Sequence, residues 1–197
     1  MGLFVKICGV TDLETAETVV HAGADAIGFV FADSPRRVAP RQAVAISGDL
    51  PPHLLRIAVF RNPALRDIEA VLEVFTPDLV QADHQALVGF EGVDTLPVFR
   101  EGAPGDPDDG RFLYEGPVSG SGQAVHLGRA ADMARLGAMV LAGGLHPHNV
   151  GSAIATVRPH GVDVSSGVES SPGTKDPALI RSFVAAARVA EERLVNV

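Results

Sequence analysis

Eight short apolar runs, rich in β-branched residues, recur along the chain, and most are followed by a segment with helical spacing. Phe4 to Cys8 is the first strand and Gly9 ends it. A helix from Leu13 to His21 follows, capped by Thr11 or Asp12, with Ala16, Val19 and Val20 as its apolar stripe and Gly23 as its stop. Asp25 to Val30 is a second strand that reads as buried on both faces, the pattern of a parallel sheet covered by helices. A loop from Phe31 to Ala39 leads to a helix opened by Pro40 and running through Ile46.

The same alternation continues. Leu54 to Phe60 is the third strand, with a helix from Pro63 through Phe75; Asp78 to Ala82 is the fourth, with a short helix near His84 to Val88. Thr95 to Arg100 is the fifth strand, and the Gly-, Pro- and Asp-rich segment 101–110 after it reads as an exposed loop where a helix has shrunk. Arg111 to Glu115, Ala138 to Ala142 and Gly161 to Val164 are strands six to eight. A glycine-rich loop from Gly116 to Gln123 and helices from about His126 to Leu136, Pro147 to Val157 and Pro177 to Leu194 complete the series. The last, Ala-rich helix reads as a covering helix. Eight βα units in 197 residues predict an α/β fold, a compact (β/α)8 TIM barrel forming one domain over 1–197. An open doubly wound sheet is the competitor, and eight strands are many for so short an open fold.

Composition changes this picture little. The chain is 46% hydrophobic and 20% charged, as in an ordinary globular domain. A net charge of −8 counts against nucleic acid or an anionic membrane surface as partner, yet leaves room for local cationic sites that bind an anionic small molecule. No apolar run is long enough to span a bilayer, and the first residues lack the layout of a signal peptide. Cys8 is the one cysteine, which excludes an internal disulfide and suits a reducing, cytoplasmic location.

In such a barrel, chemistry gathers at the C-terminal ends of the strands. That rule selects Cys8, the loop 33–37 with Arg36 and Arg37, Gln81, Arg100, Glu115, Gly143 with Gly144, and the stretch from Asp163 to Gly167. Ser165, Ser166 and Gly167 follow a strand end and can turn backbone N–H groups toward an anion; Gly143 and Gly144 offer a second such end. Cys8 is a small core residue or a nucleophile or base; Arg36 is a solvated loop charge or an anion ligand; Glu115 is a surface carboxylate or an acid/base. Lys6 reads as pointing to the opposite face of its strand from Cys8 and is set aside. Gly120-Ser-Gly122 lacks the third glycine of a dinucleotide fingerprint, no Walker A pattern occurs, and His146 and His148 have no partners at metal-ligand spacing.

These residues carry a resemblance. Val5-Lys6-Ile7-Cys8-Gly9-Val10-Thr11 resembles the opening motif of the phosphoribosylanthranilate isomerases, barrel enzymes of tryptophan biosynthesis. Residues 22–31, 34–38, 141–145 with Pro147 and Asn149, 161–169 and 172–176 continue the likeness over the whole length. The resemblance implies an Amadori rearrangement of N-(5-phosphoribosyl)anthranilate to the carboxyphenylamino-deoxyribulose phosphate, an aldose–ketose isomerisation with no metal or organic cofactor. It implies Cys8 as general base, with its pKa lowered from about 8.5. Arg36 would hold the anthranilate carboxylate or close the site, with Gln81 also lining the substrate site and Asp163 near the anthranilate amine. Gly143, Gly144, Ser165, Ser166 and Gly167 would bind the phosphate. The implied partner is a phosphorylated small molecule, with the protein a monomer or homodimer.

The middle of the chain departs from the family pattern. The family's general acid is an aspartate ending the sixth strand; here Glu115 stands at that place. The fourth strand ends Val80-Gln-Ala-Asp-His84, and the fifth keeps only Val98-Phe-Arg100 of its usual ending. The extra methylene moves the carboxyl by about 1 Å, a displacement that can cost about 100-fold in rate. Two classes therefore stay open: a working isomerase with Glu115 as acid, and a phosphate-ligand-binding barrel whose chemistry is altered. A bifunctional isomerase acting also on the histidine-pathway ribotide is a further alternative.

Overall fold

The structure, a computed structural model, describes residues 2–118 and 125–195. Gly120-Ser-Gly122 and the end of the glycine-rich loop lie outside the described residues. Eight parallel strands close into a barrel in chain order: β1 (Phe4–Cys8), β2 (Ala26–Val30), β3 (Leu55–Val59), β4 (Leu79–Asp83), β5 (Thr95–Arg100), β6 (Arg111–Glu115), β7 (Ala138–Leu141) and β8 (Gly161–Val164). The ring closes where Phe4 pairs with Gly161 and Lys6 with Asp163.

Strand periodicity sorts the side chains into two layers. Val30, Ile57, Val59, Leu79, Leu96, Val98, Leu113 and Val140 fill the barrel. Their alternates, among them Val5, Ile7, Ile27, Phe29, Val80, Met139 and Val162, pack outward against the helices. This double burial explains why the strands read as continuous apolar runs.

The helices are α1 (Leu13–Ala22), α2 (Pro40–Ser47), α3 (Leu65–Leu72), α4 (Leu127–Met133), α5 (Val150–Val157) and α6 (Pro177–Val195). Asp12 is the cap of α1: its Oδ1 accepts the Thr15 N–H at 2.8 Å, and Gly23 ends the helix in the left-handed region at φ 81°. Ile180, Phe183, Val184, Ala187 and Ala190 give α6 its buried stripe. After β4 comes a single 3-10 turn, His84–Leu87, and β5 is followed by turns and coil through 110, the loop expected there. One feature is additional. Behind β8, Ser166–Val168 makes a 3-10 turn, and Glu169–Ser171 (β9) pairs antiparallel with Thr174–Lys175 (β10).

Candidate active site at the barrel mouth

The expected strand-end residues converge on the C-terminal side of the barrel. Lys6 and Cys8 are two residues apart on β1, so they share the inner face. This corrects the reading that set Lys6 on the opposite side: a period of two returns to the same face. Lys6 is fully buried, and its Nζ donates to Asp163 Oδ1 at 2.7 Å. A Cβ on Gly28 would stand 3.0 Å from Cys8 Sγ and 3.3 Å from Lys6 Cε, so a glycine on β2 makes room for both groups.

Burial pushes the Cys8 thiol up, and the ammonium groups of Lys6 and Lys175 pull it down without overcoming that. This direction is opposite to the lowering that the resemblance implies. Lys6 stays charged: burial works to lower its pKa, but Asp163 and Cys8 raise it above the usual value.

Arg36 lies over Gly9 and reaches across the mouth to Glu169. Its Nε and Nη2 donate to the two carboxylate oxygens at 2.7 and 2.8 Å. Lys175, buried beneath, donates to Glu169 Oε1 at 2.8 Å and to the Ser165 carbonyl at 2.9 Å. Two cations hold the Glu169 carboxyl at about 2, overcoming the burial that would raise it. The bidentate pair leaves the Nη1 side of the Arg36 fork for another anion. Beside it opens a cleft of about 520 Å³ lined by Asp33, Ser34, Arg61, Ser166 and Glu169 among others, a volume suited to a small ligand. A larger cleft of about 810 Å³ lies further out, between the segments after β2 and β3, and holds neither Cys8 nor Glu115.

On the other side of the mouth a small pocket joins Glu115, Gly143, Gly144, Asp163, Ser165 and Ser166. Gly143 and Gly144 have φ of 89° and 65°, a left-handed turn that glycine adopts without strain. Among the described residues, their N–H groups find no acceptor. Ser166 and Gly167 open the 3-10 turn, whose first N–H groups have no partner within it. Gly167 packs so closely that a Cβ there would meet the Leu145 carbonyl oxygen at 1.9 Å. Two glycine-bearing strand ends thus face one pocket with backbone donors, the makings of an anion cradle.

Gln81 is buried inside the barrel, and its Oε1 finds no hydrogen-bond partner among the described residues. Arg100 sits between two acids: Nη2 is 2.5 Å from Asp83 Oδ1, and Nε is 2.9 Å from Glu115 Oε1. Among the described residues, no group of three His, Cys, Asp or Glu side chains is placed to hold a metal. No helix among them is long and apolar enough to cross a membrane.

The profile of the family described as N-(5'phosphoribosyl)anthranilate (PRA) isomerase matches residues 5–87 and 105–186. The N-(5'-phosphoribosyl)anthranilate isomerase of Bordetella petrii is 40% identical, the match covering 96% of this chain and 97% of that protein. That of Desulforudis audaxviator is 39% identical over 94% and 98%. The chain belongs to the N-(5'-phosphoribosyl)anthranilate isomerase family. It is an isomerase of phosphoribosylanthranilate, acting in tryptophan biosynthesis. The barrel is likewise similar to the phosphoribosyl anthranilate isomerase of Thermus thermophilus, with a TM-score of 0.83 at 32% identity, covering 93% of this chain and 98% of that one. A phosphoribosyl anthranilate isomerase solved with reduced 1-(o-carboxyphenylamino)-1-deoxyribulose 5-phosphate is 32% identical, with a TM-score of 0.78 over 95% and 99%.

Sequence reasoning missed three partners of this isomerase site. Lys6 was lost to a wrong face assignment. Glu169 and Lys175 fall within motif stretches but had no role there, because the Arg36–Glu169 bond that reveals them spans 133 positions. Arg100 is selected as a strand-end residue, whereas Asp83 stands out only as a departure from the family pattern; each ends its strand beside the next, and that shared position was the available signal.

Proposed function

We propose that the isomerisation is an acid–base Amadori rearrangement, an intramolecular oxidation–reduction of aldose to ketose, carried by Cys8 and Glu115. The observation that supports this best is their placement on β1 and β6 at one barrel mouth, with the glycine-rich anion cradle between. In this reading Gly143, Gly144, Ser165, Ser166 and Gly167 hold the substrate phosphate. Arg36, steadied by Glu169, offers its Nη1 side to the anthranilate carboxylate. Asp163 stands near the amine, and the unpaired Oε1 of Gln81 accepts a hydroxyl.

Glu115 then gives a proton to the furanose ring oxygen. The C1′–O bond breaks as the nitrogen lone pair forms C1′=N⁺, an iminium. Cys8 removes the C2′ proton; the C–H electrons form C1′=C2′, and the iminium π electrons return to nitrogen. Tautomerisation of this enol-amine, with a proton gained at C1′ and lost from the 2′ hydroxyl, gives the ketone. The iminium is itself the missing help for Cys8: its positive charge, added to that of Lys6, stabilises the thiolate where burial alone opposes it. The substrate thus completes the electrostatics of the base.

Turnover of phosphoribosylanthranilate by the wild type, Cys8→Ala and Glu115→Gln tests the assignment. The wild type is expected to be active and each variant to lose at least about 100-fold in kcat, the scale of a lost acid or base. Full activity in Glu115→Gln would move the acid elsewhere. A wild type that binds phosphate ligands without turnover would overturn the reading in favour of a binding protein. We also propose a cytoplasmic protein. One solved relative carries the description of generated monomers of a dimeric isomerase, from Thermotoga maritima; sedimentation of this chain decides between monomer and homodimer.

A further inference from the structure

The last residues of β4, β5 and β6 make one cluster. Arg100 joins Asp83 and Glu115, and all three side chains are largely withdrawn from water, with exposures of 18%, 20% and 14%. Two carboxyl groups on one guanidinium carry a net charge of −1 when both are ionised. Withdrawn from water, the single guanidinium cannot balance both carboxylates.

The charged groups around the cluster are themselves paired. From β8, Asp163 shares a pocket with Glu115 and is held by Lys6 of β1. Just after β7, Ala142 and Gly143 share the pocket with Glu115 and carry no charge. Glu101, next to Arg100, carries Arg129 at 3.8 Å and accepts the His126 N–H at 3.3 Å. His84, next to Asp83, stacks flat on Phe99 at 4.4 Å. Arg100 itself is held above its ordinary value by Asp83 and Glu115, against the burial that lowers it.

Of the two acids, Asp83 has the shorter contact with the guanidinium. We propose that Asp83 and Arg100 are positioning residues for Glu115: Asp83 takes the guanidinium charge, so that Glu115 keeps the proton, and Arg100 holds its carboxyl in place. A neutral Glu115 still accepts the Nε–H through Oε1, so the pair with Arg100 survives protonation on its other oxygen. The same tether draws the longer side chain toward β5 and offsets its extra methylene. This rests on Glu115 being the acid of the isomerase.

The test is a pH titration of the Glu115 carboxyl by carbon NMR, assigned by the signal lost in Glu115→Gln. In Asp83→Asn, Glu115 loses a like charge and gains the whole guanidinium, so its midpoint is expected to fall by about one pH unit. In Arg100→Gln it is expected to rise by a similar amount. Above the midpoint, kcat of Asp83→Asn falls about tenfold for each pH unit by which the midpoint drops, while KM changes little. A purely structural role would lower kcat at every pH and leave the midpoint in place. An unmoved midpoint, or one moving the opposite way, overturns the proposal, and either variant alone decides if the other does not fold. The titration needs no turnover. Shifted midpoints in an inactive wild type would therefore remove the isomerase chemistry while keeping the cluster, and an active Glu115→Gln would remove the acid assignment.

Discussion

Lys6 is among the largest fully buried side chains of the barrel, and a buried ammonium is tolerable only with a counter-charge. Asp163 supplies it at 2.7 Å, with the Cys8 sulfur on the same inner face. In Lys6→Met the thiol would lose its nearest cation and keep Asp163 as a facing anion. Both changes raise the thiol pKa, so the pH midpoint of Cys8 alkylation should move upward, with kcat falling alongside. A midpoint that stayed in place would separate Lys6 from the base. The identity of Lys6 is plain in the sequence, but its face follows only from the strand period of two.

At the scale of elements, the segment after β8 does more than form a loop. The β9–β10 hairpin brings Glu169 and Lys175 together and turns Glu169 toward Arg36. The folded pKa of Glu169, about 2, lies below the ordinary value of about 4.3. A depressed carboxylate contributes stability that is fully present above the unfolded pKa and lost as pH falls through the folded one. Glu169→Gln should cost about 3–5 kcal/mol near neutrality, since it strands buried Lys175. Denaturant unfolding of both proteins should show that gap closing between about pH 4.3 and 2. A gap independent of pH would assign the loss to packing.

Strands were legible because each is an apolar run bounded by glycine or a charged residue, and burial on both faces enforces that composition. Helix starts were less legible. Pro63 and Pro147 looked like first-turn prolines, but α3 begins at Leu65 and α5 at Val150. Before α3, Ala64 has no side-chain acceptor, and Asp67 satisfies its N–H at 3.0 Å. The hairpin went unseen because Ser-Pro-Gly-Thr reads as a turn and its strands are three and two residues long. The anion cradle was legible as composition. Ion pairs such as Arg36 with Glu169 were not, because only folding brings their elements together.

For the whole molecule, closure depends on joining the ends of the chain. Arg188 on α6 reaches the Leu3 carbonyl at 2.5 Å, the Gly23 carbonyl at 2.9 Å and Asp25 at 2.8 Å. It ties the last helix to the entries of β1 and β2. Arg188→Ala should lower stability by about 1–3 kcal/mol through these unmet acceptors, read from the unfolding midpoint, with kcat preserved because the mouth lies at the opposite end. Equal stability in the variant would make the seam ornamental.

The Leu3 amide also donates to Glu191 at 2.6 Å, so the segment entering β1 and the last turns of α6 meet on one side of the barrel. Order of synthesis and order in space are therefore separable here. A gene that joined these ends by a short linker and opened the exposed segment 101–110 would encode the same ring of strands in permuted sequence. Cys8 and Glu115 would then be read out in the reverse order along the polypeptide and still face each other across the same mouth.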